Sequence, residues 1–250
     1  MNDSHLFKRT IVKHEIPSRY LPEGSRSIRV YLPPGFQEWI SYPVVYCQDG
    51  EDFFNFGRIA THAQKLILDE DWNPFIIVGV EVNKKLRTSE YAADGERHPL
   101  YTRFFAEELL PWVESRYPVR TEPNERLLAG DSLGAAVSLS LCLAFPALFR
   151  RMISLSGAYY DASYKQLLQQ ESLADLQIWM IVGLQETAFE SDRGTFNFVE
   201  LNRQARALME QKGADLHYEE KDGEHKWGFW QNELPDALAS FLGPSPIFTR

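Results

Sequence analysis

The chain has few cysteines and no long apolar run. Cys47 and Cys142 are its only two cysteines and form no C-x-x-C pair, so we expect two buried thiols rather than a disulfide scaffold or a zinc site. No segment reaches the roughly 20 apolar residues that a membrane-spanning helix needs. The first 13 residues lack the apolar stretch of a secretory signal. We therefore expect a cytoplasmic protein with no metal and no membrane contact.

Positive charge is also scarce. There are 26 lysines and arginines against 35 aspartates and glutamates, a net charge of -9, so no nucleic acid partner is expected. Hydrophobic content of 44% and charged content of 24% are ordinary for globular chains, which excludes extended disorder and collagen-like repeats. A length of 250 residues suits one domain over residues 1–250, with residues 1–25 as an N-terminal extension or edge strand. Such a domain would be a monomer or a homodimer.

Short β-rich runs alternate with helical stretches along the chain. This alternation predicts the α/β class, with a mostly parallel central sheet and helices on both faces. The predicted strands are 27–33, 43–48, 75–82, 126–130, 151–156, 177–183 and 215–220. Helical spacing of apolar residues is clearest over 101–117 and 196–212.

The segment Gly130-Asp-Ser132-Leu-Gly134 follows a predicted strand and begins a helix of small residues. In this context G-x-S-x-G is the pattern of a nucleophile elbow, a strained turn that raises a serine above the sheet. A Cβ at either glycine would collide with the neighbouring strand or helix. Ser132 is therefore the predicted nucleophile. The N–H of Leu133 is the predicted oxyanion donor, because a helix N-terminus stabilises negative charge. A serine that only caps the helix is the alternative.

A catalytic serine of this kind needs an acid and then a histidine, in that chain order. Of six histidines, only His225 lies in a loop after the last predicted strand. The acid should follow the strand that ends at Gly183, which favours Glu186 as the residue that fixes the imidazole tautomer. The open alternatives are Glu190, Asp192 and Asp161.

The loop Gln48-Asp-Gly50-Glu51 after the third-strand position should supply a second oxyanion donor. Gly50 would allow the backbone to approach the substrate, and the N–H of Glu51 would donate to the oxyanion, unless the loop is a plain turn.

Arg87 would bind an anionic substrate group, unless it only pairs with Glu90. Aromatic side chains near the elbow and the histidine are expected to line the substrate site. They are Tyr159, Tyr160, Trp227 and Trp230.

These ordered motifs, over roughly residues 43–241, resemble an esterase family of the α/β-hydrolase superfamily. That family contains esterase D, feruloyl esterases, antigen 85 type mycolyltransferases and enterochelin esterases. The matching segments are Gln48-Asp-Gly-Glu51, Arg87-Thr-Ser-Glu90-Tyr91, Phe105-Ala-Glu-Glu-Leu-Leu-Pro111 and Gly223-x-His225 with Trp230. Ala135 stands where the family often has another glycine.

The resemblance implies the α/β-hydrolase fold and a serine esterase that needs no cofactor. Its Ser132, Glu186 and His225 would form a triad and an acyl-enzyme intermediate on a small-molecule ester. Siderophore trilactone, feruloyl and acetyl esters are the implied substrates. An acyltransferase with the same triad and a non-catalytic binding module remain alternatives.

Overall fold

The computed structural model describes residues 8–248. The strands in this range are β1 (Thr10–Pro17), β2 (Ser25–Leu32), β3 (Val44–Cys47), β4 (Ile76–Val80), β5 (Arg126–Asp131), β6 (Arg151–Leu155), β7 (Gln177–Gly183), β8 (Phe189–Ser191), β9 (Gly194–Phe196) and β10 (Asp215–Lys221). The α-helices are α1 (Gly50–Asn55), α2 (Ile59–Asp69), α3 (Arg87–Tyr91), α4 (His98–Phe104), α5 (Leu110–Arg116), α6 (Leu133–Ala144), α7 (Asp161–Leu168), α8 (Phe198–Gln211) and α9 (Trp227–Leu242). Across residues 8–248, no helix combines the length and the apolar character needed to cross a bilayer.

Eight strands form one sheet in the order β1-β2-β4-β3-β5-β6-β7-β10. The pairs β1–β2 and β2–β4 are antiparallel, and the other neighbours are parallel. All seven predicted runs form strands of this sheet, so the predicted mostly parallel sheet is confirmed. The region predicted as an extension or edge strand contributes the edge strand β1, and residues 1–7 lie outside the described residues. Strands β8 and β9 form a separate hairpin that the sequence did not predict.

Both faces of the sheet are covered by helices. Successive side chains of a strand point to opposite faces, so Val44 and Tyr46 pack on one side and Val45 and Cys47 on the other. The first side is covered by α4 to α8, and the second by α1, α2 and α9. Burial on both sides explains why the central strands have continuous apolar sequences. It also explains why the sulfur of Cys47 is buried.

The single helix predicted over 101–117 has three parts in the structure. A π-helical turn, Phe105–Leu109, joins α4 to α5. Pro111 lies in the first turn of α5 and has no N–H for the carbonyl one turn earlier. The wider turn accommodates the proline without ending the helical segment.

The carboxyl ends of the parallel strands meet at one edge of the sheet. The segments that follow β3, β5, β6, β7 and β10 therefore come together there. Ligands of open α/β sheets bind at this edge. The residues predicted to carry the chemistry lie in these segments.

Candidate active site

Ser132 occupies a strained turn between β5 and α6. Its φ of 52° and ψ of -120° are unusual for a residue with a Cβ, and such a conformation costs about 1–3 kcal/mol. The Ser132 N–H donates to the carbonyl of Leu155, and the Ser132 carbonyl accepts from the N–H of Ala158, each at 2.9 Å. These two bonds hold the turn to the segment around the end of β6. The predicted elbow geometry is therefore present.

Both glycines of the motif lie in close packing, which excludes a Cβ at Gly130 and leaves little room for one at Gly134. A Cβ on Gly130 would lie 2.2 Å from the carbonyl carbon of Gly134, so strand and helix touch at this point. A Cβ on Gly134 would lie 3.1 Å from the Cβ of Gln48 and 3.2 Å from a carboxylate oxygen of Asp49. Gly134 thus leaves room for the loop after β3, rather than for the neighbouring strand.

Glu186 and His225 are brought into direct contact. Nδ1 of His225 lies 2.6 Å from Oε2 of Glu186, and the Glu186 side chain is fully buried. Oε1 of Glu186 accepts from the Ser156 hydroxyl at 2.6 Å and from the Gly183 N–H at 2.8 Å. A carboxylate held this way favours the tautomer with the proton on Nδ1, which leaves Nε2 free to accept a proton. Of the four acids considered from the sequence, Glu186 is the one that meets the imidazole in the described residues.

The acid loop and the histidine loop are joined along their backbones. The N–H of Leu184 donates to the carbonyl of Lys221 at 2.8 Å, and that of Gln185 donates to the carbonyl of Gly223 at 3.0 Å. A Cβ on Gly183 would lie 2.4 Å from the Gly223 carbonyl oxygen. The absence of a side chain at Gly183 therefore allows the two loops to meet.

The imidazole is also held by three aromatic rings. The ring centroids of Phe189 and Phe198 both lie 4.2 Å from that of His225, and Trp230 lies edge-on at 4.8 Å. The His225 side chain is only 5% exposed. Its position is thus fixed by packing as well as by its hydrogen bond.

Ser156 is a site residue that the sequence reasoning missed. It follows β6 with a φ of 48°, is completely buried, and donates to Glu186. The indole N–H of Trp230 donates to its hydroxyl at 2.8 Å. Trp230, predicted as a substrate wall, therefore also supports the acid through Ser156. A serine directly after a central strand was the available signal.

Two helices begin at the cleft and present backbone N–H groups. Asp49 adopts a left-handed conformation, with φ 49°, and α1 follows with Gly50 and Glu51 as its first residues. First-turn N–H groups have no acceptor within their own helix, which leaves those of Glu51 and Leu133 without one. A Cβ on Gly50 would lie 2.3 Å from the backbone of Gly79. Gly50 thus allows close packing against β4, and the expectation that it brings the backbone close to the substrate stays a prediction.

A cleft of about 390 Å³ contains Ser132 and His225. Tyr160, Phe189 and Trp230 supply its aromatic walls. Tyr159 is 2% exposed, and its hydroxyl lies 2.6 Å from that of Ser154, so it belongs to the core rather than to the cleft. Trp227 packs edge-on against Phe53 at 4.8 Å, away from the cleft lining. The predictions for Tyr159 and Trp227 were therefore wrong, and Phe189 was missed.

Arg87 lines the cleft but is paired with Asp49. Its Nε and Nη2 donate to both carboxylate oxygens of Asp49 at 2.7–3.0 Å. Glu90, the alternative partner, is completely buried and binds Arg26 at 2.8 and 3.0 Å instead. The Arg87-x-x-Glu90 segment thus contributes to two separate ion pairs.

Asp131 is a buried carboxyl group directly before the serine. Burial raises the pKa of Asp131 to about 7, and the charge of Asp49 adds to this effect while Arg87 opposes it. Oδ2 lies 3.8 Å from Nη2 of Arg87, and Oδ1 has no hydrogen-bond partner in the described residues. Near neutral pH the carboxyl group therefore exchanges between its protonated and ionised forms.

The strand order and the strained serine turn define the class of α/β-hydrolases. Within that class, the chain belongs to the esterase family, because the family model described as "Putative esterase" matches residues 18–241. The resemblance inferred from the sequence is thereby confirmed. The chain is a carboxylic-ester hydrolase of the serine type.

Individual proteins agree with this assignment. The protein YjcH of Bacillus subtilis (strain 168), itself uncharacterized, is 34% identical over 236 residues, which cover 93% of this chain and 98% of YjcH. The structure of a ferulic acid esterase has a TM-score of 0.78 at 18% identity, covering 92% of this chain and 97% of that one. The enterobactin esterase FES from Shigella flexneri has a TM-score of 0.75 at 19% identity, covering 91% of this chain and 59% of FES. At these identities the two structures show a shared fold.

Proposed function

We propose that the protein hydrolyses small carboxylic esters with Ser132 as nucleophile, His225 as general base and Glu186 as the acid that orients it. The observation that carries the proposal is the 2.6 Å contact between Glu186 and His225, at a cleft that Ser132 also lines. A buried carboxylate behind the imidazole stabilises the imidazolium that forms during the reaction. Without the contact between Glu186 and His225, the position of Ser132 would fit a serine that only caps the helix equally well.

The reaction would proceed in two acyl-transfer steps. Oγ of Ser132 attacks the ester carbonyl carbon while Nε2 of His225 takes the hydroxyl proton. The N–H groups of Leu133 and Glu51 would hold the oxyanion of the tetrahedral intermediate. Its collapse breaks the ester C–O bond, and the alcohol leaves with the proton from His225. Water then attacks the acyl-enzyme by the same route and releases the carboxylic acid.

The size and walls of the cleft support a short or planar acyl group. A volume of about 390 Å³ is sufficient for an acetyl, feruloyl or similarly small ester. Tyr160 and Phe189 offer flat apolar faces beside Ser132. Acetyl and feruloyl esters are therefore the proposed substrates, with a siderophore trilactone as the comparison compound.

The first experiment compares the hydrolysis of 4-nitrophenyl acetate by the wild type, Ser132→Ala and Ser115→Ala. Ser115 is an exposed residue of α5 whose hydroxyl donates to the carbonyl of Trp112 and accepts from Arg116 at 3.5 Å, so its substitution controls for the loss of a serine hydroxyl outside the cleft. We expect kcat to fall by a factor of about 10³ or more in Ser132→Ala and to stay unchanged in Ser115→Ala. Equal rates in the wild type and Ser132→Ala would refute the proposal. An added alcohol acceptor distinguishes hydrolysis from acyl transfer, because transfer would yield a new ester.

A further inference from the structure

The two cations of the cleft are already paired with carboxylates. Arg87 is bound to Asp49 through two of its nitrogens and also approaches Asp131. Lys84 is in contact with Asp52 and lies 3.9 Å from Asp49. Because neighbouring carboxylates already offset both positive charges, an anionic substrate group would gain less from either cation than from an unpaired one.

The β8–β9 hairpin adds two further carboxylates to the same cleft. The Glu190 side chain has no hydrogen bond or ion pair with any residue in the described part of the chain. Asp192 accepts a hydrogen bond from the hydroxyl of Thr88 at 2.8 Å and has no cation within ion-pair distance in that part of the chain. The hairpin's own arginine, Arg193, is held by both oxygens of Asp94 at 2.6 and 2.8 Å. The charges of Arg193 and Asp192 interact without an ion pair between them, and with two acids against one arginine the hairpin presents a net negative charge to the cleft.

Asp131 provides an independent sign that the cleft accepts an uncharged group. Its side chain lines the cleft, the residue is 6% exposed, and its Oδ1 has no partner in the described residues. The other oxygen, Oδ2, lies 3.8 Å from Nη2 of Arg87. A carboxylate placed in the cleft would be repelled by Asp131 in its ionised form, whereas an uncharged group would not.

We propose that the cleft selects esters whose remaining groups are uncharged or cationic, and that Glu190 and Asp192 are the residues that exclude anionic substrates. This inference rests on the proposed ester hydrolysis at Ser132. Leaving Asp131 aside, the carboxylates that line the cleft outnumber the cations by three to two. The carboxylates are Asp52, Glu190 and Asp192, and the cations are Lys84 and Arg87, of which Arg87 is paired with the buried Asp49.

The size of the expected selection follows from Coulomb's law. Two like charges about 8 Å apart, in surroundings between water and protein interior, reduce binding by a factor on the order of ten. Both hairpin carboxylates are on exposed residues, so salt should weaken this effect. A catecholate trilactone carries negative charge and should therefore be a poorer substrate than a neutral ester of similar reactivity.

The experiment uses three aryl acetates with one acyl group and different charges on the ring. They are 3-acetoxybenzamide, 3-acetoxybenzoate and 3-acetoxy-N,N,N-trimethylanilinium. Each kcat/KM is divided by the rate constant for hydroxide-catalysed hydrolysis, to remove differences in leaving-group reactivity. We expect the anionic ester to be at least about tenfold slower than the neutral one, and the cationic ester to equal or exceed it.

The variants test which residues cause the selection. In the double variant Glu190→Gln, Asp192→Asn, the ratio of neutral to anionic kcat/KM should fall toward one. Glu171→Gln is the matched control, because Glu171 is an exposed acid between α7 and β7 and outside the cleft. It should leave the ratio unchanged.

Three results would count against the inference in distinguishable ways. Equal rates of the wild type on the anionic and neutral esters would overturn it. A double variant that keeps the full selection would overturn the assignment to Glu190 and Asp192. Failure to hydrolyse any of the three esters would instead contradict the proposed function itself.

Discussion

Replacing Asp131 with asparagine should stabilise the protein at alkaline pH and have a much smaller effect at acidic pH. Asparagine keeps the size of the side chain but cannot ionise. Asp131 has an ordinary pKa of 3.8 and a folded-state pKa raised to about 7, chiefly by burial. Between these values the folded state holds a proton that the unfolded state has released. The stability of the wild type therefore decreases as pH rises from about 4 to 7 and stays reduced above that.

The magnitude follows from the difference between the two pKa values. A gap of about 3 corresponds to roughly 4 kcal/mol of unfolding free energy at pH 8.5, since each step of one is worth about 1.4 kcal/mol. At pH 4 the carboxyl group is protonated in the folded state, and this contribution is close to zero. The difference between Asp131→Asn and the wild type should thus grow by several kcal/mol between pH 4.5 and pH 8.5.

Urea denaturation followed by tryptophan fluorescence measures this difference, provided that unfolding is reversible. Asp236→Asn is the control, because it removes an exposed carboxylate on α9. The control should change the free energy of unfolding little and by a similar amount at both pH values. If Asp131→Asn shows the same difference from the wild type at pH 4.5 and pH 8.5, burial of Asp131 does not have the cost described here.

Two further predictions concern the support of the proposed catalytic residues. Ser156→Ala removes the hydroxyl that joins Trp230 to Glu186, so we expect kcat to fall about 10–100-fold with KM little changed. Trp230→Phe should lower kcat less, because the direct bond from Ser156 to Glu186 remains. If both variants instead raise KM by the same factor, Ser156 does not position Glu186. Gly183→Ala should lower the free energy of unfolding by at least about 2 kcal/mol, because its Cβ would overlap the histidine loop. Gly228→Ala, where no atom lies within 4 Å of the added Cβ, is the matched control and should be near neutral in thermal denaturation.

The sheet and the main site residues could be predicted because their signals are local. Continuous apolar runs marked the buried strands, and the glycines around Ser132 marked a turn with no space for side chains. Glu186 and His225 were selected by chain order relative to strands, and the structure places them in contact. Fixed connections between strand ends and loops make this kind of inference possible.

The errors concern contacts that depend on distant parts of the chain. Arg87 was expected to bind an anionic substrate group, with a pair to Glu90, three residues away, as the alternative, but tertiary packing brings Asp49 to it from the loop after β3. Tyr159 and Tyr160 are adjacent, yet one packs in the core and the other lines the cleft. Hydrophobic periodicity does not indicate which side chains of an irregular loop are buried, so the sequence could not show which of the two tyrosines lines the cleft.

The hairpin was missed because its strands are too short to show a pattern. Strands β8 and β9 have three residues each and include a charged and a glycine residue. Neither joins the main sheet, so no run of buried apolar residues was needed. Its aromatic residue Phe189 became recognisable as a site residue only through its contact with His225.

The position of this hairpin has a consequence for how the enzyme could diversify. It is inserted between Glu186 and α8, and it bears both a ring that packs against the imidazole of His225 and two carboxylates that line the cleft. Because it lies outside the eight-stranded sheet, substitutions and length changes there leave the hydrogen bonds of the folding core intact. Changes in this one short segment, by evolution or laboratory selection, can therefore alter substrate preference and turnover together without lowering the stability of the sheet.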